Sequence, residues 1–444
     1  MSSNVVKLGD ICKIGSSKRI KRDDYVENGI PFFRSKEIIE LSKGNSISTE
    51  LFIAKDQYNQ INEKFGSPDT GDILITSVGT LGVAYQVEQS QLPFYFKDGN
   101  LTWLSQFSVD VNPRWVLYWL NSPEGQRKID EISIGSTQRA ITIVALKSIE
   151  VQLPHKDEQD RTVKILDSVT GKISTNNKTN QTLEQIAQAI FKSWFVDFDP
   201  VKAKINTLAA GGSADDAELV AMSVISAKTL DELNSLKASN PEAFNKLAQT
   251  AALFPAAMQD SELGEIPEGW EVKQLKDILE LAYGKALKKT DRVDGDVPVY
   301  GSGGLTGYHN QSLVEGPGII VGRKGTVGSV YWEPKAFYPI DTVFYVKPRA
   351  GYSLKYCHLV LQNLGLKDMN TDAAVPGLNR DNAYRLDVIT PTKGVMNLFK
   401  EIMQSLQSNV DANNAQSASL ESLRDTLLPK LLSGEIDLAS EVTA

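Results

Sequence analysis

The feature that most constrains this chain is that it contains much of itself twice. "RAITIVALKSIEVQLP" (139–154) aligns with "PGLNRDNAYRLDVITP" (376–391) at an offset of 237. That offset then holds without a gap, pairing Ile165 and Leu166 with Ile402 and Met403, Asn176 and Asn177 with Asn413 and Asn414, and "LEQI" (183–186) with "LESL" (420–423). Further upstream, "LGDI" (8–11) matches "LKDI" (275–278) at an offset of 267, and "ITSVGTLGVAY" (75–85) matches "VGRKGTVGSVY" (321–331) at 246, so the first copy carries 21 more residues in between. Sustained self-similarity of this kind marks a repeated structural unit. The chain reads as module, helix, module, helix.

The helices follow from period. Leu166, Ile173, Asn180, Ala187 and Trp194 recur every seven residues, interleaved with Val169, Asn176, Leu183 and Ile190. Met403, Val410, Ser417, Arg424 and Leu431 do the same, interleaved with Leu406, Asn413, Leu420 and Leu427. Forty residues at ~1.5 Å each span about 60 Å, more than a helix needs to cover its own small module. An amphipathic helix lying on its own module is the plainer reading. Against it stand the polar layers at Asn176 and Asn413, since a seam Asn costs stability and fixes register. The pattern predicts an antiparallel coiled coil acting as a spacer.

The modules themselves are β-branched runs broken by glycine, the mark of a bulge or tight turn, followed by shorter helices at 113–129 and 354–366. The expected fold is therefore α+β: two β-rich domains separated by two long antiparallel helices, related by a pseudo-twofold repeat. The expected limits are 1–155 for the first domain, 156–200 for the first long helix, 201–265 for a partly helical connector, 266–393 for the second domain, and 394–444 for the second long helix and tail.

Charge and composition exclude several classes. The net charge of −8 argues on its face against a nucleic-acid partner. Its distribution weakens the objection: residues 199–271 hold twelve acids and five bases, whereas residues 272–356 hold twelve bases and eight acids, and residues 1–36 hold eight bases and four acids. Both modules begin basic. No run reaches the ~18–20 apolar residues of a membrane span and "MSSNVVKLGD" lacks a signal-peptide core, so the chain is expected in the cytoplasm, away from membranes. Two cysteines and three histidines offer neither a disulfide framework nor a metal cluster. There is no G-x-x-x-x-G-K-[ST], because Gly284-Lys285 is followed by Ala286; "GSGG" (301–304) lacks the spacing of a dinucleotide fingerprint and reads equally well as a polar turn.

"VPVYGSGGLTGYHN" with "RKGTVGSVYW", "SELGEIPEGWEV", "IFKSWFVDFDPV" and the closing "LRDTLLPKLLSGEIDL" resemble the DNA specificity (S) subunits of Type I restriction-modification systems. The resemblance covers essentially the whole chain, and the duplicated order is its most specific part; the first module departs from it by starting at "VVKLGD" without the "IPEGW" that opens the second. The resemblance implies two target-recognition domains, each reading half of a split site in double-stranded DNA. It implies two DNA adenine methyltransferase (M) subunits and the restriction/translocase (R) subunits as partners. No cofactor is expected on this chain; S-adenosylmethionine, ATP and Mg would sit on the partners. No Asn/Asp-Pro-Pro-aromatic tetrad for adenine methylation occurs, since "DFDP" (197–200) lacks the second proline and the aromatic. The chain is expected to be non-catalytic.

Base edges are read by Arg, Lys, Asn and Gln, while other cations and amides hold phosphates. The candidate DNA-binding residues are Lys18, Arg19, Lys21, Arg22, Arg34, Lys36, Ser77 and Thr80 in the first module. In the second they are Lys285, Lys288, Lys289, Tyr300, Ser302, Tyr308, His309, Arg323, Lys324 and Thr326. Glycines 79, 82, 325 and 328 are expected to let the strand turn pass close to phosphates. Gln138 and Arg380, beyond the glycine core, are read as structural. A coiled-coil scaffold that binds only protein is the alternative; it accounts for the helices and the acidity but not for two basic, glycine-broken β modules.

Overall fold

Each β-branched run broken by glycine forms a hairpin inside a small sheet, and it does so twice with one topology. The computed structural model describes residues 4–45, 47, 49–135, 139–369 and 377–436, an α+β chain in two units, Met1–Lys178 with Ala412–Ala444, and Thr179–Asp411. In the first unit an antiparallel sheet runs in the order Lys13–Gly15, Leu101–Ser105, Ile73–Thr76, Ala84–Gln86. In the second the order is Leu279–Tyr283, Val343–Pro348, Gly318–Gly322, Val330–Glu333. The two correspond strand for strand. Ile73–Thr76 and Gly318–Gly322 are buried along their whole length, which is why neither run alternates with polar residues. A second sheet in each unit contains one parallel pair, Phe32 with Tyr95 and Val299 with Tyr338. The first and last strands of each module pair with one another, Asn4–Lys7 with Glu150–Leu153 and Glu271–Gln274 with Asp387–Thr390.

The copies differ where the first is longer. Its extra residues fold as the helices Ser35–Ser42 and Lys55–Phe65, in the interval where the second copy has the tight hairpin Val297–Gly301 and Gly304–His309.

The long helices are Lys156–Phe195 and Lys393–Leu432, 40 residues each. Within the first unit, Leu166 shares a core with Leu428, Leu431 and Leu432, alongside Trp115 and Trp119. Within the second, Ala187, Phe191 and Trp194 share a core with Phe399 and Met403, alongside Trp270 and Tyr356. Numbers rise along one helix as they fall along its neighbour, so the pairing in each unit is antiparallel. In the first unit the seam is polar at Asn176, which is 2% exposed. Its Nδ2 donates to the Asn413 carbonyl (3.3 Å), Gln416 Oε1 (3.0 Å) and Ser417 Oγ (3.2 Å).

The interval read as a connector has more structure than its alanine-rich composition suggested. Helices Asp199–Ala209, Ala214–Ser226, Leu230–Ser239 and Pro241–Ala252 enclose a small core of Ala221, Met222, Leu233 and Ala251. Ser213, Thr229 and Asn240 cap the last three by accepting a backbone N–H. Buried Lys204 donates to the carbonyls of Ala251 (2.8 Å) and Phe254 (2.9 Å), completing the end of the fourth helix, and pairs with Glu218 at 2.6 Å. Among the described residues, no helix is long and apolar enough to cross a membrane.

Candidate functional site

The two glycine loops close in the same way. Gly328 N–H donates back to the Gly322 carbonyl, and Gly82 N–H to the Thr76 carbonyl, both at 2.9 Å. Lys324 forms an isolated bridge with Gly377, and Val78 the equivalent bridge with Ala140. Gly79, Gly82, Gly325 and Gly328 all have positive φ, between 69° and 85°. The reason for glycine differs along the loop. A Cβ at Gly328 would lie 2.3 Å from the Leu366 carbonyl carbon, and one at Gly82 would meet the Gln126 side chain at 3.0 Å. These two glycines admit the helical segments that follow. Gly79 has open space around it.

In the second module the structure gathers part of the candidate set. The turn at Ser302 abuts the glycine loop: Ser329 Oγ donates to the Ser302 carbonyl at 2.7 Å, and a Cβ at Gly325 would meet Ser302 Oγ at 3.2 Å. Ser302, Lys324 and Thr326 therefore lie together, with Lys324 and Thr326 exposed. Arg323 lies beside them; its Nη1 donates to the Asp341 carbonyl at 3.0 Å, and its guanidinium carbon sits 4.9 Å from the Tyr283 ring centroid. Lys285 follows two residues after Tyr283, exposed, with Lys288 and Lys289 exposed at the next turn and Tyr308 exposed on the hairpin.

Two candidates in this module serve the fold instead. His309 is 7% exposed, and its Nδ1 accepts the Val293 N–H at 3.1 Å. Tyr300 is half-buried and donates to Glu333 Oε2 at 2.8 Å; burial, with Glu333 beside it, holds the phenol well above its ordinary value.

The first module presents its cations differently. Lys18, Arg19, Lys21, Arg22, Lys36 and Thr80 are exposed. Lys18 Nζ stands 5.0 Å from the Phe65 ring centroid, at a hollow of about 230 Å³ lined by Lys13, Ser16, Phe65 and Trp103 among others. Arg34 is engaged: Nη2 pairs at 3.1 Å with Oε1 of buried Glu37, whose Oε2 accepts the Arg34 backbone N–H at 2.8 Å. The side-chain hydrogen bond to Glu37 raises the guanidinium's affinity for its proton despite desolvation. Ser77 is 3% exposed and shares a 2.6 Å hydrogen bond with Thr102 Oγ1, so it cannot face a ligand. Gln138 lies outside the described residues.

Sequence reasoning passed over three aromatic residues at these edges, Tyr283, Phe65 and Trp103. It also set Arg380 aside as structural; its guanidinium carbon in fact lies 4.8 Å from the Tyr283 ring centroid. The available signal was strand-end position: Tyr283 closes the edge strand Leu279–Tyr283, which directly follows the repeat's "LKDI" turn of helix. Burial pushes the thiols of Cys12 and Cys357 up to about 12, and among the described residues no three His, Cys, Asp or Glu side chains converge on a possible metal position.

The family model of the Type I restriction modification DNA specificity domain matches twice, over residues 2–185 and 267–421. The chain belongs to this family. Each match spans one sheet module and much of the long helix that follows it. Relatives in the specificity family include the Type I restriction enzyme HindI specificity subunit of Haemophilus influenzae, 30% identical over 397 residues, covering 82% of this chain and 86% of the relative. The Type I restriction enzyme MjaIX specificity subunit of Methanocaldococcus jannaschii is 24% identical over 480 residues, covering 98% and 93%. Among solved structures, the Type I restriction-modification S subunit from M. genitalium aligns over 97% of this chain and 96% of its own, at 16% identity and a TM-score of 0.49.

Proposed function

We propose that this chain is the DNA-reading subunit of a Type I restriction-modification complex. Each module reads one half of a bipartite site in double-stranded DNA, and the two long helices set the gap between halves and dock two adenine methyltransferase subunits. The observation that carries this reading is the double family match, falling on two modules that present the same glycine loop on the same sheet. The domain limits given from sequence, 1–155 and 266–393 for the readers, belong to the proposal. The reading surface of the second module centres on Arg323, Lys324, Thr326, Ser302 and Lys285, and that of the first on Lys18, Arg19, Lys21, Arg22, Lys36 and Thr80.

The chain does no chemistry alone. A base to be methylated must leave the stack, at a cost of a few kcal/mol, and enter a pocket with its own donor site. That pocket, with S-adenosylmethionine, belongs to the methyltransferase subunits; ATP and Mg belong to the restriction/translocase subunits. The complex works on genomic DNA in the cytoplasm.

Co-expression with the cognate methyltransferase subunit, followed by methylation mapping, tests the reading. The expected result is methylation at a two-part sequence with an unspecified gap, from a complex containing two methyltransferase subunits per chain. Methylation by the purified chain with S-adenosylmethionine alone would sink it.

A further inference from the structure

The end of the edge strand Leu279–Tyr283 carries an arrangement that the first module, built on the same strand order, lacks. Tyr283 is 48% exposed. Arg323 and Arg380 place their guanidinium carbons 4.9 Å and 4.8 Å from its ring centroid. Arg323 lies 5.8 Å from the Phe344 ring as well, and Arg380 lies 5.7 Å from Tyr384. Rings and guanidiniums therefore alternate as Phe344, Arg323, Tyr283, Arg380, Tyr384.

The group is held from several sides. Tyr384 Oη accepts the Leu281 N–H at 2.9 Å, tying the Arg380 helix to the Tyr283 strand. Asn379 caps that helix by accepting the N–H groups of Asp381 and Asn382. The Leu378 N–H donates to the Arg323 carbonyl at 2.8 Å. Positions are fixed, yet charge is not balanced. Among the described residues neither arginine forms an ion pair, and Arg380 Nε is buried without a hydrogen-bond partner. Two cations on one ring repel; Arg323 Nη1 donates to the Asp341 carbonyl, while Arg380 Nε has no acceptor among the described residues. An anionic ligand rich in acceptors satisfies both deficits.

The repeat supplies an internal control. At the three offsets, Tyr283 corresponds to Ser16, Arg323 to Ser77 and Arg380 to Ile143. The first module keeps the strand order, the loop closure and the bridge, Val78 to Ala140, with none of these side chains. The same strand order and loop closure therefore form in the first module without such a stack. In its place the first module has the hollow at Ser16, Lys18, Phe65 and Trp103.

Resting on the DNA-reading function above, we propose that Arg323, Tyr283 and Arg380 act as one reading unit. Arg380 is the specificity-determining residue, donating to the O6 and N7 acceptors of a guanine in the major groove, and Tyr283 is the positioning residue that holds both guanidiniums in plane. The first module has no counterpart, so the two half-sites differ at this position.

The test uses the complex with its methyltransferase subunits and duplexes substituted one base pair at a time across both mapped half-sites. Arg380→Ala should lose about 5- to 150-fold discrimination at one G·C pair of a single half-site, leaving the other half unchanged. Arg380→Lys, which keeps charge but not the planar fork, should not restore it. Tyr283→Phe should behave as wild type, and Tyr283→Ala should reproduce the relaxed position. If Arg380→Ala weakens all sequences uniformly, flattens the salt dependence by about one ion, and is rescued by lysine, Arg380 holds only phosphate and the proposal is overturned. Unchanged discrimination in Arg380→Ala and Arg380→Lys overturns it equally. A wild-type complex showing no preference among duplexes would instead overturn the function on which the proposal rests.

Discussion

His358 sits inside the second unit, its ring centroid 5.5 Å from that of Trp332, with Nδ1 buried and without a partner. Burial first, and then neighbouring Lys355, push its pKa down from 6.5 to about 4. The native imidazole thus stays neutral while the unfolded one takes up a proton, so stability present above about pH 6.5 is lost as pH falls toward 4. One such proton changes stability by at most about 1.4 kcal/mol per pH unit. Thermal midpoints of wild type and His358→Gln measured between those limits should show a shallower decline in the variant; parallel curves would show that His358 does not titrate on unfolding. At this scale the sequence was least legible. Ser77 and Thr80 look alike on paper, but Ser77 opposes Thr102 across the sheet and Thr80 faces outward. Spacing along one strand does not encode which neighbour covers it. Arg380 was hidden for the same reason, because its ring partner Tyr283 is about a hundred residues away.

The long helices were legible because a seven-residue period over forty residues has few other interpretations. Of the shorter elements, the helices expected at 113–129 and 354–366 form as Pro113–Leu120 with Pro123–Glu131 and as Leu354–Asn363, whereas the four separate helices of 199–252 are brief, alanine-rich and organised around small residues, so their apolar faces scarcely stand out. Nor did composition reveal that the first module's extra residues form two helices. Within the seam, Asn176 and Ser417 make a buried polar layer, and such layers fix register at a cost in stability. Replacing both at once, Asn176→Leu with Ser417→Ala, removes the polar groups without leaving one of the pair unsatisfied. The expected outcome is a gain of about 1 kcal/mol or more in unfolding free energy, read by scanning calorimetry. A lowered midpoint would mean that the layer contributes net stability.

For the whole molecule, the duplicated order was readable, since matched segments in the same order need no knowledge of contacts, and the family resemblance rested largely on it. What the helices do can be tested by length. Deleting 176–182 together with 413–419 removes one heptad from each, keeping the seams in phase and shortening each helix by about 10 Å, or roughly three base pairs of duplex. Methylation mapping should then show each half-site unchanged and the unspecified gap contracted, whereas methylation at the original spacing would refute the spacer role. The terminal strands carry a last consequence. Because Asn4–Lys7 closes against Glu150–Leu153, and Glu271–Gln274 against Asp387–Thr390, the chain enters and leaves each reader at neighbouring points. A module entered and left at neighbouring points can be exchanged as one block without cutting through any of its sheets.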